Sequence, residues 1–189
     1  MKLFSARRFS YNFIKSPDSH IRQHAHSLLP YLYLYPFNND NIGYVIHDEG
    51  TNSLLAFDVG EFEKSHKIIS EIEQRKNAKL RYIFSTHKHN DHVGGNFRWK
   101  TERPDVTFKG YQKEFSQIPG LNERDAMHDL YTMEIGDLCV CLLATPGHTS
   151  DHCAYVVTHV TPDSTKTPFL FCGDTLFSAG CGRLLGGTA

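Results

Sequence analysis

Short runs of β-branched and aromatic residues, separated by polar turn-forming residues, dominate the first part of the chain. Three such runs are LYLYPF at 32–37, NIGYVIH at 41–47 and SLLAFDV at 53–59. The last two are separated by DEGTN at 48–52, a composition typical of a turn. The pattern therefore predicts a sheet built from hairpins.

The period of the pattern changes over residues 61–76, where Phe62, Ile68, Ile69 and Ile72 recur at helical spacing. This spacing predicts a helix. Further strands are predicted at 80–86, 106–110, 133–135, 138–145, 152–158 and 168–174. The polar segment 161–167 is predicted to be a hairpin loop.

Composition narrows the class of protein. The chain has 189 residues, of which 40% are hydrophobic and 22% charged, as expected for one globular domain. The net charge is −1 and the basic residues form no stripe, which argues against a nucleic-acid partner. No apolar run approaches the roughly 20 residues that cross a bilayer. These features predict a small-molecule partner, and five cysteines without a CxxC pair favour a reducing compartment.

The N-terminal segment differs from the rest. Basic and hydroxyl residues are frequent in MKLFSARRFSYNFIKSP, and no acidic residue precedes Asp18. Residues 1–27 therefore resemble a mitochondrial presequence, with a plain disordered tail and a cytoplasmic protein as the alternative. The folded domain is predicted over 28–189.

A histidine cluster follows the strand predicted at 80–86. His87 and His89 alternate, so in extended backbone they share a face, and Asp91 and His92 follow where Gly94-Gly95 lets the chain bend. Imidazole and carboxylate together favour zinc, iron or manganese over calcium or magnesium. The alternative is a polar surface loop rich in histidine. The cluster predicts a metal site.

Two more strands are predicted to end in polar motifs, TPGHT at 145–149 and CGDTL at 172–176. Taken in order, THKHNDH, TPGHT, GDTLF and GCGR resemble the metallo-β-lactamase superfamily, and within it the glyoxalase II (hydroxyacylglutathione hydrolase) family. The resemblance covers residues ~30 to 189. It implies an α/β fold, an αββα sandwich with the metal site at the edge between the sheets.

The resemblance also implies the chemistry of the site. It assigns one zinc to His87, His89 and His148 and a second to Asp91 and His92, with Asp174 bridging the two ions and with Asp91 and Asp174 as catalytic residues. A hydroxide between the ions would attack the thioester carbonyl of S-D-lactoylglutathione, releasing D-lactate and glutathione. Arg183 matches a basic residue that contacts glutathione, and His152 and Asp58 lie near the site without being ligands.

The chain departs from the family pattern near its end. Leu185 and Gly186 stand where a glutathione-contacting tyrosine and an acidic residue are usual. The sequence ends before the region that supplies the last histidine ligand of the second zinc, further elements of the catalytic domain and a helical substrate domain. We therefore expect an incomplete second half of the sandwich, weakened hydrolysis and self-association through an unpaired sheet edge. The alternatives are a mononuclear iron persulfide dioxygenase and a non-catalytic metal-binding remnant.

Overall fold

The computed structural model describes residues 26–29, 31–38, 40–160 and 166–186. The strands are β1 His26–Leu29, β2 Leu32–Phe37, β3 Asn41–Asp48, β4 Ser53–Phe57, β5 Lys79–Phe84, β6 Thr107–Lys109, β7 Thr132–Ile135, β8 Leu138–Ala144, β9 Cys153–Val160 and β10 Lys166–Phe171. The helices are α1 Phe62–Lys76, α2 Asn90–Val93 and α3 Asn96–Glu102, and short 3₁₀ turns cover Gln112–Gln117, Glu123–Asp125 and Gly173–Thr175.

The strands form two sheets. In the first, of order β1-β2-β3-β4-β5-β6, neighbouring strands are antiparallel from β1 to β4 and parallel from β4 to β6. The parallel pairing of β4 with β5 requires a crossover, which α1 provides. The second sheet, of order β10-β9-β8-β7, is antiparallel throughout.

The inner faces of the two sheets bury an aromatic core. Phe57 of β4 stacks on Phe84 of β5 at a ring distance of 5.0 Å and on Phe171 of β10 at 4.0 Å. Tyr155 of β9 meets the edge of Phe84 and donates its hydroxyl hydrogen to the carbonyl of Ser85 at 2.8 Å. Stacked and edge-to-face aromatic pairs of this kind add to the free energy gained by burial. They fix the strand ends that carry the site.

A second core lies between the first sheet and the helices. Ile68, Ile69 and Ile72, which define the predicted helical period, are buried against this sheet. Trp99 of α3 is fully buried, and its indole N–H donates to Ser65 Oγ of α1 at 2.9 Å. The described residues thus form a helix–sheet–sheet sandwich, and within them no helix covers the outer face of the second sheet.

Several boundaries differ from the sequence predictions. The strand β1 at His26–Leu29 precedes the first predicted strand, β6 covers 107–109 within the predicted 106–110, and α2 and α3 are too short to give a clear periodic signal. Lys166 and Thr167, predicted in a loop, belong to β10, and residues 161–165 lie outside the described part. The predicted presequence at 1–27 falls almost entirely outside it as well. No described helix is long and apolar enough to span a membrane.

Four polar segments meet at one edge of the sandwich. They follow β4 at Asp58, β5 at 85–92, β8 at 145–149 and β10 at 172–174. Because the parallel strands β4 and β5 end at the same edge, the segments that follow them are neighbours.

Gly95, expected to supply a sharp turn, has ordinary helical φ and ψ of −79° and −18°. It must be glycine for another reason, since a Cβ there would collide with the Val59 carbonyl oxygen.

Candidate metal centre

The loop after β5 is anchored by a buried carboxylate. Asp58 accepts hydrogen bonds from the backbone N–H of Thr86 at 2.9 Å and from its hydroxyl at 2.8 Å. Since the Thr86 hydroxyl hydrogen points to Asp58, its oxygen can accept from Nδ1 of His87, which lies 3.1 Å away. This assigns the Nδ1–H tautomer to His87 and leaves its Nε2 with a free lone pair.

His148 is held in the same way by a different group. Its Nδ1–H donates to the carbonyl oxygen of Arg183 at 2.8 Å, so Nε2 again carries the lone pair. The approach is close, since a Cβ on Gly182 would lie 2.6 Å from Nδ1 of His148. A glycine in the GCGR motif therefore lets the chain close over this ring.

His87, His89 and His148 converge on one point. Nδ1 of His89 lies 3.0 Å from Nε2 of His87 and 2.9 Å from Nε2 of His148. Nδ1 of His89 can carry only one hydrogen, so it cannot donate to both lone pairs that face it. A cation between the three nitrogens would satisfy all of them, and three imidazoles are a ligand set that zinc prefers.

A second group forms around His92. Asp58 accepts from Nδ1 of His92 at 2.9 Å, which directs Nε2 of His92 towards the site. Nε2 is buried, lies 3.0 Å from Oδ1 of Asp174 and 3.4 Å from Oδ2 of Asp91, and makes no well-directed hydrogen bond to either carboxylate. A buried polar atom without a partner is unusual in a native protein. An ion at this position would account for it.

Asp91 lies at the rim of the second group. Its side chain is 51% exposed, compared with 9% for His92. Asn41 at the start of β3 donates to the carbonyl of Asp91 at 3.1 Å and to its Oδ2 at 3.2 Å. The Asp91 carboxylate is therefore oriented by a residue that sequence reasoning did not identify.

Asp174 connects the two groups. Its Oδ1 faces Nε2 of His92 at 3.0 Å, and its Oδ2 faces Nε2 of His148 at 3.3 Å. Potential ligand atoms lie within 4.8 Å of one another in each of two sets, His87 with His89 and His148, and His87 with His92 and Asp174. The carboxylate is thus placed to be shared.

The pKa values of the histidines determine which rings are neutral and can bind a cation. Burial and the neighbouring imidazoles lower the pKa of His87 far below its ordinary value, and burial also lowers the pKa of His89. Both rings are therefore neutral at physiological pH. Burial lowers the pKa of His92, but the carboxylates of Asp58 and Asp174 outweigh it and raise that pKa to about 10. A divalent ion at the second group would displace this proton.

His152 is committed to the support of the site. Its Nε2 accepts from the backbone N–H of Asp174 at 3.2 Å, and its Nδ1 lies 3.0 Å from Thr145 Oγ1 and 3.1 Å from Thr175 Oγ1. The ring is fully buried, and burial lowers its pKa to about 4. Both nitrogens are engaged, so His152 orients Asp174 and offers no lone pair to a metal.

The structure thus brings together all six residues predicted as ligands. Arg183 also reaches the site, but it acts there through its backbone carbonyl on His148. The sequence did not predict three of the supporting groups, because their partners are distant in the chain. These groups are Asn41, the pair of threonines that bond His152, and the backbone carbonyl of Arg183.

Beside the second group lies a cleft of about 510 Å³. Its lining includes Asp91, His92 and Asp174 together with Tyr44, Phe171 and Phe177.

The fold and this histidine- and aspartate-lined edge define a class of protein. The family profile described as Metallo-beta-lactamase superfamily matches residues 43–188. The chain belongs to the metallo-β-lactamase superfamily, and the predicted fold class is confirmed.

Solved structures share this fold. One is BJP-1, a subclass B3 metallo-β-lactamase of Bradyrhizobium japonicum, with a TM-score of 0.63, 20% identity and coverage of 82% of this chain and 66% of that one. Another is ETHE1 from Myxococcus xanthus, with a TM-score of 0.61, 25% identity and coverage of 78% and 59%. At 20% identity, the similarity to BJP-1 shows only that the fold is shared.

Curated relatives indicate a narrower similarity. The chain is 38% identical over 151 residues to the hydroxyacylglutathione hydrolase of Nostoc sp., which covers 79% of this chain and 55% of the relative. It is also 36% identical over 155 residues to the cytoplasmic hydroxyacylglutathione hydrolase of Arabidopsis thaliana. This match covers 82% of the present chain and 56% of the relative. The predicted resemblance to glyoxalase II is confirmed at the level of sequence, and the chain spans about half the length of these relatives.

Proposed function

We propose that this chain carries the metal-binding part of a thioester hydrolase that converts S-D-lactoylglutathione and water to D-lactate and glutathione. The observation that supports this most strongly is the pair of ligand groups joined by Asp174, whose two oxygens face His92 at 3.0 Å and His148 at 3.3 Å. The similarity to relatives named hydroxyacylglutathione hydrolase supports the choice of substrate.

His87, His89 and His148 would hold one zinc ion, and His92 and Asp91 a second, with Asp174 shared. When bound, such ions supply Lewis acidity towards a carbonyl oxygen and lower the pKa of a bound water. The chain's own contribution is to orient the ligands. Asp58 and the Arg183 carbonyl fix the tautomers of His92 and His148, and His152 fixes the backbone of Asp174. A thiolate is a good leaving group, so no strong general acid is required from the protein.

Substrate contacts are less developed in the described residues. Arg183, which is exposed, would offer its cation to a carboxylate of glutathione. Leu185, where a tyrosine is usual in the family pattern, is 63% exposed and offers no hydrogen bond to a peptide. We therefore expect weak glutathione binding and slow turnover.

The test begins with metal content. Elemental analysis of the folded chain should find zinc, with the three-histidine group filled first. Less than about half an equivalent of any transition metal would contradict the proposal. The control is the same measurement after Asp174→Ala, which should reduce the metal content.

Activity then distinguishes the proposed hydrolase from its alternatives. We expect S-D-lactoylglutathione to be cleaved slowly and without consumption of oxygen, with the longer Arabidopsis relative assayed alongside. Oxygen uptake with glutathione persulfide, together with tightly bound iron, would instead establish a dioxygenase. Zinc binding without turnover of either substrate would establish a non-catalytic metal-binding protein.

A further inference from the structure

Glu114 is a fully buried acid outside the ligand groups. It lies in the 3₁₀ turn Gln112–Gln117, and its side chain is 0% exposed. Neither carboxyl oxygen has a hydrogen-bond partner among the described residues. Burying a carboxylate without hydrogen bonds costs several kcal/mol unless a charge compensates it. The charged groups around this carboxyl therefore determine how much its burial costs.

The compensating charge comes from the first metal-binding loop. Nζ of Lys88 lies 3.8 Å from Oε1 of Glu114, and the Lys88 side chain is 30% exposed. Lys88 stands between His87 and His89, the two ligands that this loop contributes to the three-histidine group. An ion pair to Lys88 therefore acts on the backbone that sets the spacing of those two rings.

The loop that carries His148 also influences the electrostatics of this carboxyl. Burial raises the pKa of Glu114, and the Thr149 hydroxyl and the Lys88 ammonium oppose that rise, while Asp151 adds to it. Thr149 directly follows His148, and its own hydroxyl oxygen is buried without a hydrogen-bond partner. Among the described residues, the groups that oppose the rise in the pKa of Glu114 thus come from the loops that bear His87, His89 and His148.

We infer that Glu114 is a positioning residue that, through its pair with Lys88, holds the 87–89 loop in the geometry required by the three-histidine group. It does not belong to that loop. Because a buried ion pair is strong only in a narrow range of geometry, the pair resists movement of the loop relative to the 3₁₀ turn Gln112–Gln117. This inference rests on metal binding by the chain, as proposed above, and is independent of thioester hydrolysis.

The test measures metal affinity rather than activity. In Glu114→Gln, which keeps the size of the side chain, the zinc affinity of the full chain should fall about 10- to 100-fold, as for other groups that orient ligands. The measurement is competition with a chromophoric chelator. Cobalt(II) bound in place of zinc should also show a shifted visible spectrum, since its bands report the geometry of the ligands.

Glu73→Gln is the matched control. Glu73 is also mostly buried, pairs with Arg103 at 3.2 Å and accepts from the N–H of Leu80, but it lies on α1, away from the site. Its replacement should lower the free energy of unfolding and leave the zinc affinity and the cobalt spectrum unchanged. A general loss of stability is thereby separated from a loss of positioning.

Lys88→Met provides a second route if Glu114→Gln does not fold. It should weaken zinc binding to a similar extent, and in the double variant the two losses should not multiply, because both remove the same pair. Unchanged affinity in a folded Glu114→Gln or Lys88→Met chain overturns the inference while leaving the proposed function intact. Failure of the unmodified chain to bind zinc overturns both.

Discussion

Asp58 accepts a hydrogen bond from Nδ1 of His92 at 2.9 Å, although the two residues are 34 positions apart. Asp58 adopts a left-handed backbone conformation with φ of 53°, which is uncommon for a residue other than glycine. The other hydrogen bonds of its carboxylate come from Thr86, immediately before His87. The Asp58 carboxylate therefore orients the His92 ring in the second group. It also anchors the loop that carries His87 of the three-histidine group.

Asp58→Asn should weaken metal binding at both groups. The amide can accept from only one side, so either the Thr86 contact or the His92 contact is replaced by a donor facing a donor. We expect zinc affinity to fall about 10- to 100-fold, measured by chelator competition.

Asp48→Asn is the control for this change. Asp48 is also buried and accepts from Thr51 and from the backbone N–H of Asp137, but it is the last residue of β3, beside the start of β4 and away from the site. It should lose stability by thermal unfolding and keep its zinc affinity. Equal zinc affinity in both variants would show that Asp58 has no role in binding metal.

Asp174→Ala should remove the shared ligand. Because its two oxygens face different groups, we expect bound zinc to decrease at both and any hydrolysis of S-D-lactoylglutathione to become undetectable. Elemental analysis and the substrate assay provide the measurements. Asp137→Ala makes the same change of charge at an exposed turn and should have no effect. Retention of two zinc ions by Asp174→Ala would contradict a bridging role.

The cysteines should differ in reactivity. Cys153 is fully buried, its thiol donates to the carbonyl of Thr86 at 3.3 Å, and burial raises its pKa far above the ordinary value. Because the thiolate is the reactive form, the native chain should resist iodoacetamide at Cys153 even at pH 9. Exposed Cys181 should be alkylated first.

Peptide mass spectrometry at successive times would measure these rates, and all five cysteines should react in guanidinium chloride. Equal rates at Cys153 and Cys181 in the native chain would mean that the edge around Thr86 opens readily.

The edge strand β10 should mediate self-association. Among the described residues it pairs with β9 on one side only, and Leu170 on it is 53% exposed. Open edges with exposed apolar residues promote pairing between chains. Analytical ultracentrifugation should show association that increases with concentration and decreases in Leu170→Lys. Leu130→Lys, at a position 67% exposed and outside the strands, should leave it unchanged, and equal effects of both would exclude β10 as the interface.

The sequence alone determined the strands, the main helix and the ligand motifs. Helical periodicity and runs of β-branched and aromatic residues are local properties. The isoleucines of α1 are buried because their spacing places them on one face, and the runs at 32–37 and 53–57 form the predicted strands, the second of them buried on both faces. Ligand motifs could be read for a related reason. His87 and His89 are two positions apart, and their convergence requires little beyond local chain geometry.

Only the tertiary structure decided how those ligands are held. The hydrogen bond from Asn41 to Asp91 joins residues 50 positions apart, and that from His148 to the Arg183 carbonyl joins residues 35 apart. His152 could have been a ligand from its type alone, and only the packing of three strand ends shows both its nitrogens in use. Glu114 had no motif around it. Such contacts depend on which segments the two sheets bring to one edge, and a single sequence contains no local signal for that arrangement.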